Sequence, residues 1–336
     1  MEKVLNPIKQ LRALPPALLI PVAVFVGLRL FPQLDVSVWN EYWVIHYYIF
    51  SFASFMATIT AVFIYISQSH NSITTPIFFL MLAFTGISAL LLVRGITTPT
   101  IFLPNEISDP FELSMRLSFL VGAIFFAAAV FPMTTAVQAR ILAYRRYIIA
   151  AAIISYIIYL VIVFLSPETL HTPANNPVIW QVMGWLSISL YLWAAYRFFH
   201  NYWENDIAIN KQLAISLLLL AQGQLAELFN QWGHLSWLLA QIIILLALGM
   251  AIYALLDYIR SRQQLRTTHY FGALGSIVIL GIALFVGEMG TRLLQISVRR
   301  MLVIPMTLAQ GFLSFGVLFI IVNYLDKLIQ ERNEAI

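Results

Sequence analysis

Five polar side chains interrupt apolar stretches where lipid would otherwise be the only neighbour: His46, Arg94, Glu227, His234 and Gln241. Ionisable groups inside a bilayer are costly, so the few that occur there point to ligand, ion or proton binding. If successive apolar blocks cross the membrane in alternating directions, all five fall toward the same side. Gln222, Gln224 and Asn230 flank Glu227 in sequence. The expectation is one outward-facing intramembrane pocket with His46, Arg94, Glu227, His234 and Gln241 as its ligand-binding residues. Glu288 and Arg292 lie four apart and are expected to form a structural ion pair along one helix face. A plainer role stays open for His46, Arg94 and His234, which sit near helix ends where such side chains snorkel to the interface. Trp43, Tyr47, Tyr48, Trp232 and Trp237 read as interfacial aromatic anchors.

Catalytic signatures are missing. The chain has no His-Glu-x-x-His, no phosphate-binding Gly-x-x-x-x-Gly-Lys, no Gly-x-Ser-x-Gly and no dinucleotide glycine fingerprint. Absence of cysteine excludes disulfides, thiolate metal sites and covalently attached c-type haem. No two histidines stand four apart, so a haem or metal enzyme would need His46 and His234 to converge from different helices. The sequence predicts no catalytic residue and no metal site, and it names no cofactor.

The elements that must position these residues follow from composition. Hydrophobic residues make up 61% of the 336 and charged residues 10%, against roughly 25% charged in a soluble domain. Such a chain cannot hide its apolar surface in water. The apolar residues come in blocks of about twenty, enough to cross a hydrocarbon core of about 30 Å as helices. The blocks are continuous rather than alternating, which excludes a barrel. The fold class is therefore all-α, a polytopic transmembrane helix bundle of about ten spans, placed near 14–32, 42–67, 73–94, 115–137, 146–166, 176–199, 208–228, 233–257, 269–294 and 299–325. The basic stretch before the first block resembles a secretory signal, but Pro15, Pro16 and Pro21 interrupt it, and a first span is expected instead.

Net charge of +4 is spread over short loops, which fits membrane orientation better than nucleic-acid binding. Arg140, Arg145 and Arg146, Arg197 and Lys211, and Arg260, Arg262 and Arg266 fall on one side together with the N-terminal segment. The positive-inside rule makes that side cytoplasmic, with both termini there. Asp35 and Glu41, then Glu106, Asp109 and Glu112, fall in loops on the other side. The 292–300 loop, with Arg292, Arg299 and Arg300, disagrees. The expected organisation is an eight-helix core (1–257), a cytoplasmic linker (258–268), a terminal pair of spans (269–325) and a cytoplasmic helix (326–336). No internal repeat supports a transporter.

Residues 42–257 resemble the multipass membrane sensor modules N-terminal to bacterial adenylate or guanylate cyclases, diguanylate cyclases and sensor histidine kinases. The likeness rests on His46-Tyr-Tyr-Ile-Phe-Ser, Leu-Ala-Phe-Thr-Gly (82–86), Arg94-Gly-Ile-Thr-Thr-Pro99, Arg116-Leu-Ser-Phe-Leu-Val-Gly-Ala (116–123) and His234-Leu-Ser-Trp-Leu-Leu-Ala-Gln241. Such modules often carry His-Gly-Leu-x-Thr-Pro where this chain has Arg94, and a histidine near Gln241. Those two departures remove candidate metal or haem ligands, since Arg offers no lone pair. An Arg there suits an anionic or carbonyl-bearing ligand. The resemblance implies a sensor of the bacterial inner membrane, of the two-component or cyclase type, that passes a ligand signal to a cytoplasmic kinase or cyclase partner. The runner-up reading is a transporter or channel. Leu318, Val322, Leu325, Ile329, Arg332 and Ile336 follow a 4-3-4-3-4 spacing, a seam expected to pair in a parallel homodimer.

Overall fold

The computed structural model describes residues 16–37, 42–67, 74–98, 109–230 and 233–263. The expected helices 269–294 and 299–325, the tail 326–336, the Glu288–Arg292 pair and the seam through Leu318, Val322, Leu325 and Ile329 lie outside the described residues. Within them the α-helices are α1 (Ile20–Leu30), α2 (Tyr42–Ser67), α3 (Thr75–Ile96), α4 (Asp109–Val130), α5 (Thr135–Ala143), α6 (Arg145–Leu165), α7 (His171–Asn175), α8 (Pro177–Asn205), α9 (Ala208–Phe229) and α10 (Leu235–Gln263). The β-type contact among these residues is an isolated bridge between Ser37 and His234.

Among the described residues, six helices are long and apolar enough to cross a membrane: α3, α4, α6, α8, α9 and the Leu235–Leu255 part of α10. That is the pattern of a multi-pass membrane protein. Ile49–Ala61 of α2 is a shorter apolar stretch within a 26-residue helix. The first block is different, because α1 has only 11 residues, about 16 Å at 1.5 Å per residue and half a hydrocarbon core.

Four boundaries depart from the sequence expectation, one of them the 197–211 loop, where α8 runs on to Asn205 and α9 starts at Ala208, so Arg197 and Lys211 are both helical. The 115–137 block is helical over Asp109–Val130, so Asp109 and Glu112 occupy a first turn rather than a loop; carboxylates are favoured there by the helix dipole. The basic 138–146 loop is instead helical, the end of α5 and the start of α6, with α5 capped by Thr134, whose hydroxyl accepts from the Val137 N–H at 3.4 Å. The first residues of the 258–268 linker continue α10 to Gln263.

Packing joins α2 to α3, α3 to α4, α4 to α8, α8 to α9, α9 to α10 and α10 back to α2, a closed ring. Lipid-soluble helices gain nothing from hydrophobicity when they associate, so small residues and interhelical hydrogen bonds hold them. Ala53, Ala57, Ala83, Ala123, Ala194, Ala214, Ala247 and Ala251 are accordingly buried at the contacts. The Ser54 hydroxyl donates to the Ser88 carbonyl at 2.8 Å and that of Ser88 returns one to Ser54 at 2.9 Å. The Ser216 hydroxyl donates to the Ala247 carbonyl at 2.7 Å. Where α3, α4 and α8 meet, a Cβ on Gly122 would lie 2.6 Å from Ile87 and 2.8 Å from the Tyr191 hydroxyl, which itself donates to the Phe119 carbonyl at 3.0 Å.

Replacing Gly122 with Val is therefore expected to destabilise the bundle by about 1–3 kcal/mol through overpacking. Gly27→Ala, with nothing within 4 Å of the new Cβ, should leave the unfolding midpoint in detergent nearly unchanged. Equal midpoints for the two variants would count against this packing.

Candidate functional site

The ring brings one end of α2, α3, α4, α8, α9 and α10 together, and chemistry-bearing side chains gather there. Arg94 stands in the last turn of α3. That end is closed by its own threonines: the Thr97 hydroxyl donates to the Val93 carbonyl at 2.8 Å and Thr98 to the Arg94 carbonyl at 3.2 Å. A Cβ on the adjoining Gly95 would lie 3.2 Å from Ser51 Oγ, so α2 and α3 approach closely and Arg94 can reach inward past α2. On α8, Asn176 caps the first turn by accepting from Val178 and Ile179 at 2.9 and 3.3 Å, which sets Trp180 beside α4. Asp109 ties the start of α4 to α7 through His171 Nδ1 at 2.9 Å and Asn175 Nδ2 at 2.7 Å.

Arg94 is 1% exposed. Its guanidinium carbon lies 4.4 Å from the Phe50 ring centroid and 4.2 Å from that of Phe111, a sandwich that favours a cation through the ring quadrupoles. One Nη donates to the Phe111 carbonyl at 3.3 Å and the other to His46 Nε2 at 3.4 Å. Accepting there requires a neutral imidazole with its proton on Nδ1. The His46 ring is wholly enclosed: Phe50, Phe111 and Trp237 surround it at centroid distances of 4.4, 4.7 and 5.0 Å, Trp237 nearly parallel to it.

Two carboxylates and a second guanidinium complete the cluster. Glu112 and Arg116, one turn apart on α4, approach to 3.9 Å. Arg116 also lies over the Trp180 ring at 3.5 Å. On the far wall, Gln241 and Asn230 each donate an amide N–H to the Glu227 carboxylate, the latter at 3.1 Å. Glu112 and Glu227 both act electrostatically on Arg94 and on Arg116. Two guanidiniums and two carboxyl groups thus face one another within a bundle interior of low dielectric, where an uncompensated charge would cost most. Trp237 Nε1, Gln224 Oε1, Gln241 Oε1 and Arg116 Nε have no hydrogen-bond partner among the described residues.

The five expected ligand-binding residues divide as follows. His46 and Arg94 are in contact, Glu227 and Gln241 are in contact, and Arg94 and Glu227 are electrostatic neighbours. His234 is elsewhere: its Nδ1 lies 2.5 Å from the Asp35 carbonyl oxygen, where the chain after α1 docks on the start of α10. The Asp35 carboxylate accepts from the Ser236 N–H at 2.8 Å, fixing that junction. Two expected interfacial anchors are corrected, because Tyr47 and Trp237 are 3% and 0% exposed and pack inside the bundle. The side chains of Trp43, Tyr48 and Trp232 lie outside the description. Sequence reasoning missed Glu112 and Arg116 as site residues by placing the acids of 106–112 in a loop. The four-residue spacing recognised at Glu288 and Arg292 recurs at Glu112 and Arg116 and was the available signal.

Among the described residues no three His, Asp or Glu side chains converge as metal ligands. The arrangement can offer guanidinium donors from α3 and α4, the indole N–H of Trp237, and carboxylate and carboxamide acceptors from α4, α9 and α10. Comparison with family models, with curated proteins and with solved structures finds no match for this chain.

Removing one charge should expose the balance. Arg94→Met is expected to destabilise by about 3 kcal/mol, since it strips the buried carboxylates of a cation. Adding Glu112→Gln should return part of that loss, with a coupling of about 1 kcal/mol in a double-mutant cycle read by thermal unfolding. Strict additivity would show that the two groups do not share one electrostatic site.

Proposed function

We propose that this chain is a membrane-embedded input module that takes a small polar ligand into the Arg94–Glu227 cluster and passes the change along α10 to an output element. The observation that carries the reading is that α10 belongs to both ends of the problem. Trp237 and Gln241 near its start form one wall of the cluster, and the same helix runs unbroken for 29 residues to Gln263, about 43 Å. A ligand shifts an equilibrium only by binding two arrangements with different affinity. Here a group that competes for Glu227 or Arg94 would change the contacts of α9 and α10 with α2 to α4, and a rigid helix would carry that change to the far end.

The resemblance to sensor modules supports the same reading. In it the chain has about ten spans in the bacterial inner membrane, both termini are cytoplasmic, and the 269–325 pair leads to a parallel homodimer seam through Leu318, Val322, Leu325 and Ile329. A kinase or cyclase receives the signal. An anionic or carbonyl-bearing ligand suits Arg94 and Arg116, and Glu227 with Gln241 suits its donor groups.

The test is a thermal-shift screen of the purified chain in detergent against small carboxylates, amino acids and amides. A compound that raises the midpoint is expected to lose its effect in Arg94→Gln and in Gln241→Ala, and to change the labelling rate of a single cysteine at Tyr258 several-fold. Uptake of that compound into proteoliposomes bearing the chain would instead make it a transporter.

Orientation has its own test, made clean by the absence of native cysteine. A cysteine replacing Leu142 should resist an impermeant thiol reagent in intact cells and react once the cells are opened. Reaction in intact cells would invert the topology.

A further inference from the structure

Among the candidate spans of the described residues, α6 stands apart. Only 6% of its apolar stretch is buried, against 33–61% for the other five candidate spans. Its contacts lie toward its C-terminal end: the Tyr156 hydroxyl donates to the Ala89 carbonyl at 3.2 Å, the Tyr159 and Ser114 hydroxyls pair at 2.7 Å, and Val163 packs with Val93, Leu113 and Leu170. Over 145–155 no residue is buried, so three turns stand clear of the ring on all sides.

We infer that the α5–α6 corner binds the headgroup of an anionic phospholipid whose acyl chains lie along these exposed turns. Charge selects this occupant. Arg140, Arg145 and Arg146 are exposed and make no ion pair among the described residues. No Asp or Glu occurs between Glu112 and Glu168. The neighbouring end of α8 is mixed instead, with His200 paired to Glu204 one turn on at 3.3 Å and Asp206 just after the helix. The corner is also built to hold its charges in place. The Thr75 hydroxyl on α3 donates to the Gln138 carbonyl at 3.2 Å, which holds α5 against α3, and the Tyr144 N–H donates to the Arg140 carbonyl at 3.0 Å, which closes the last turn of α5 just before α6 begins. Tyr144 and Tyr147, 6.1 Å apart and both exposed, flank the arginines, as amphipathic rings do at headgroup depth. A second copy of the chain fits poorly, because a two-fold contact through this face would set the same arginines against each other without an acid.

This site does not depend on the polar cluster, and it is tested on the full chain in detergent by native mass spectrometry. Titration with phosphatidylglycerol is expected to give a saturable adduct that phosphatidylcholine does not. The triple variant Arg140→Gln, Arg145→Gln, Arg146→Gln should weaken it on the order of a hundredfold, and each single variant about fivefold, so the test survives if the triple variant fails to fold. Arg197→Gln with Lys211→Gln, at the same end, should leave it unchanged. Equal binding of the two lipids, or equal loss in the control, would overturn the proposal. So would efficient crosslinking of a cysteine at Ile153 in native membranes, either between copies or to a cysteine within 264–336.

Discussion

A guanidinium keeps its charge in a protein interior, and Arg94 has been carried into one. Everything at that end of the bundle answers the resulting demand for compensation. Phe50 and Phe111 present their ring faces to it, a backbone carbonyl and His46 accept its hydrogens, and two carboxylates on different helices supply opposing charge. Those partners come from α2, α4 and α9, so the charge can be compensated only when the ring is closed. The same condition makes the cluster sensitive. On the proposed reading, a polar ligand that offered better partners to one side would change the reason the helices sit where they do.

The ring also accounts for its outlier. From the polar cluster, α4 and α8 both run toward the opposite end, and they pack side by side. The chain must therefore return between them in sequence without occupying a place in the ring. α5 and α6 make that return on the outside, which leaves α6 anchored through Tyr156, Tyr159 and Val163 and bare over its first three turns. A helix so placed leaves its first turns to neighbours outside the ring, and under the inference drawn above the arginines at its start select an anionic lipid among them.

α1 plays a smaller part with a local logic. Too short to cross alone, it lies against α9 and α10, with the Leu18 carbonyl accepting from Gln222 at 3.0 Å and Phe25 packed with Ala226 and Ala240. The chain after it pairs with the start of α10, where the Leu235 N–H donates to the Val36 carbonyl at 3.1 Å and His234 meets Asp35. That junction holds a histidine whose type and depth match a ligand-binding group.

Hydropathy alone determined that this chain is a set of membrane-length helices, because a bilayer demands continuous apolar runs and internal backbone pairing; the 42–67 helix and the starts and ends of several others follow from it directly. It also marked His46, Arg94, Glu227 and Gln241, since any polar group in such a run is conspicuous. What it could not decide was direction around each helix axis. In water an apolar face points inward, but in lipid the outside is as apolar as the inside, so the pattern does not say which side of a helix meets protein. Hence Trp237 and Tyr47 read as interfacial anchors and proved to be core, Glu112 and Arg116 were hidden behind a misplaced helix start, and His234 turned toward Asp35. Only the closure of the ring, which fixes the azimuth of every helix at once, decided that Arg94 would lie between Phe50 and Phe111 with Glu227 within electrostatic reach.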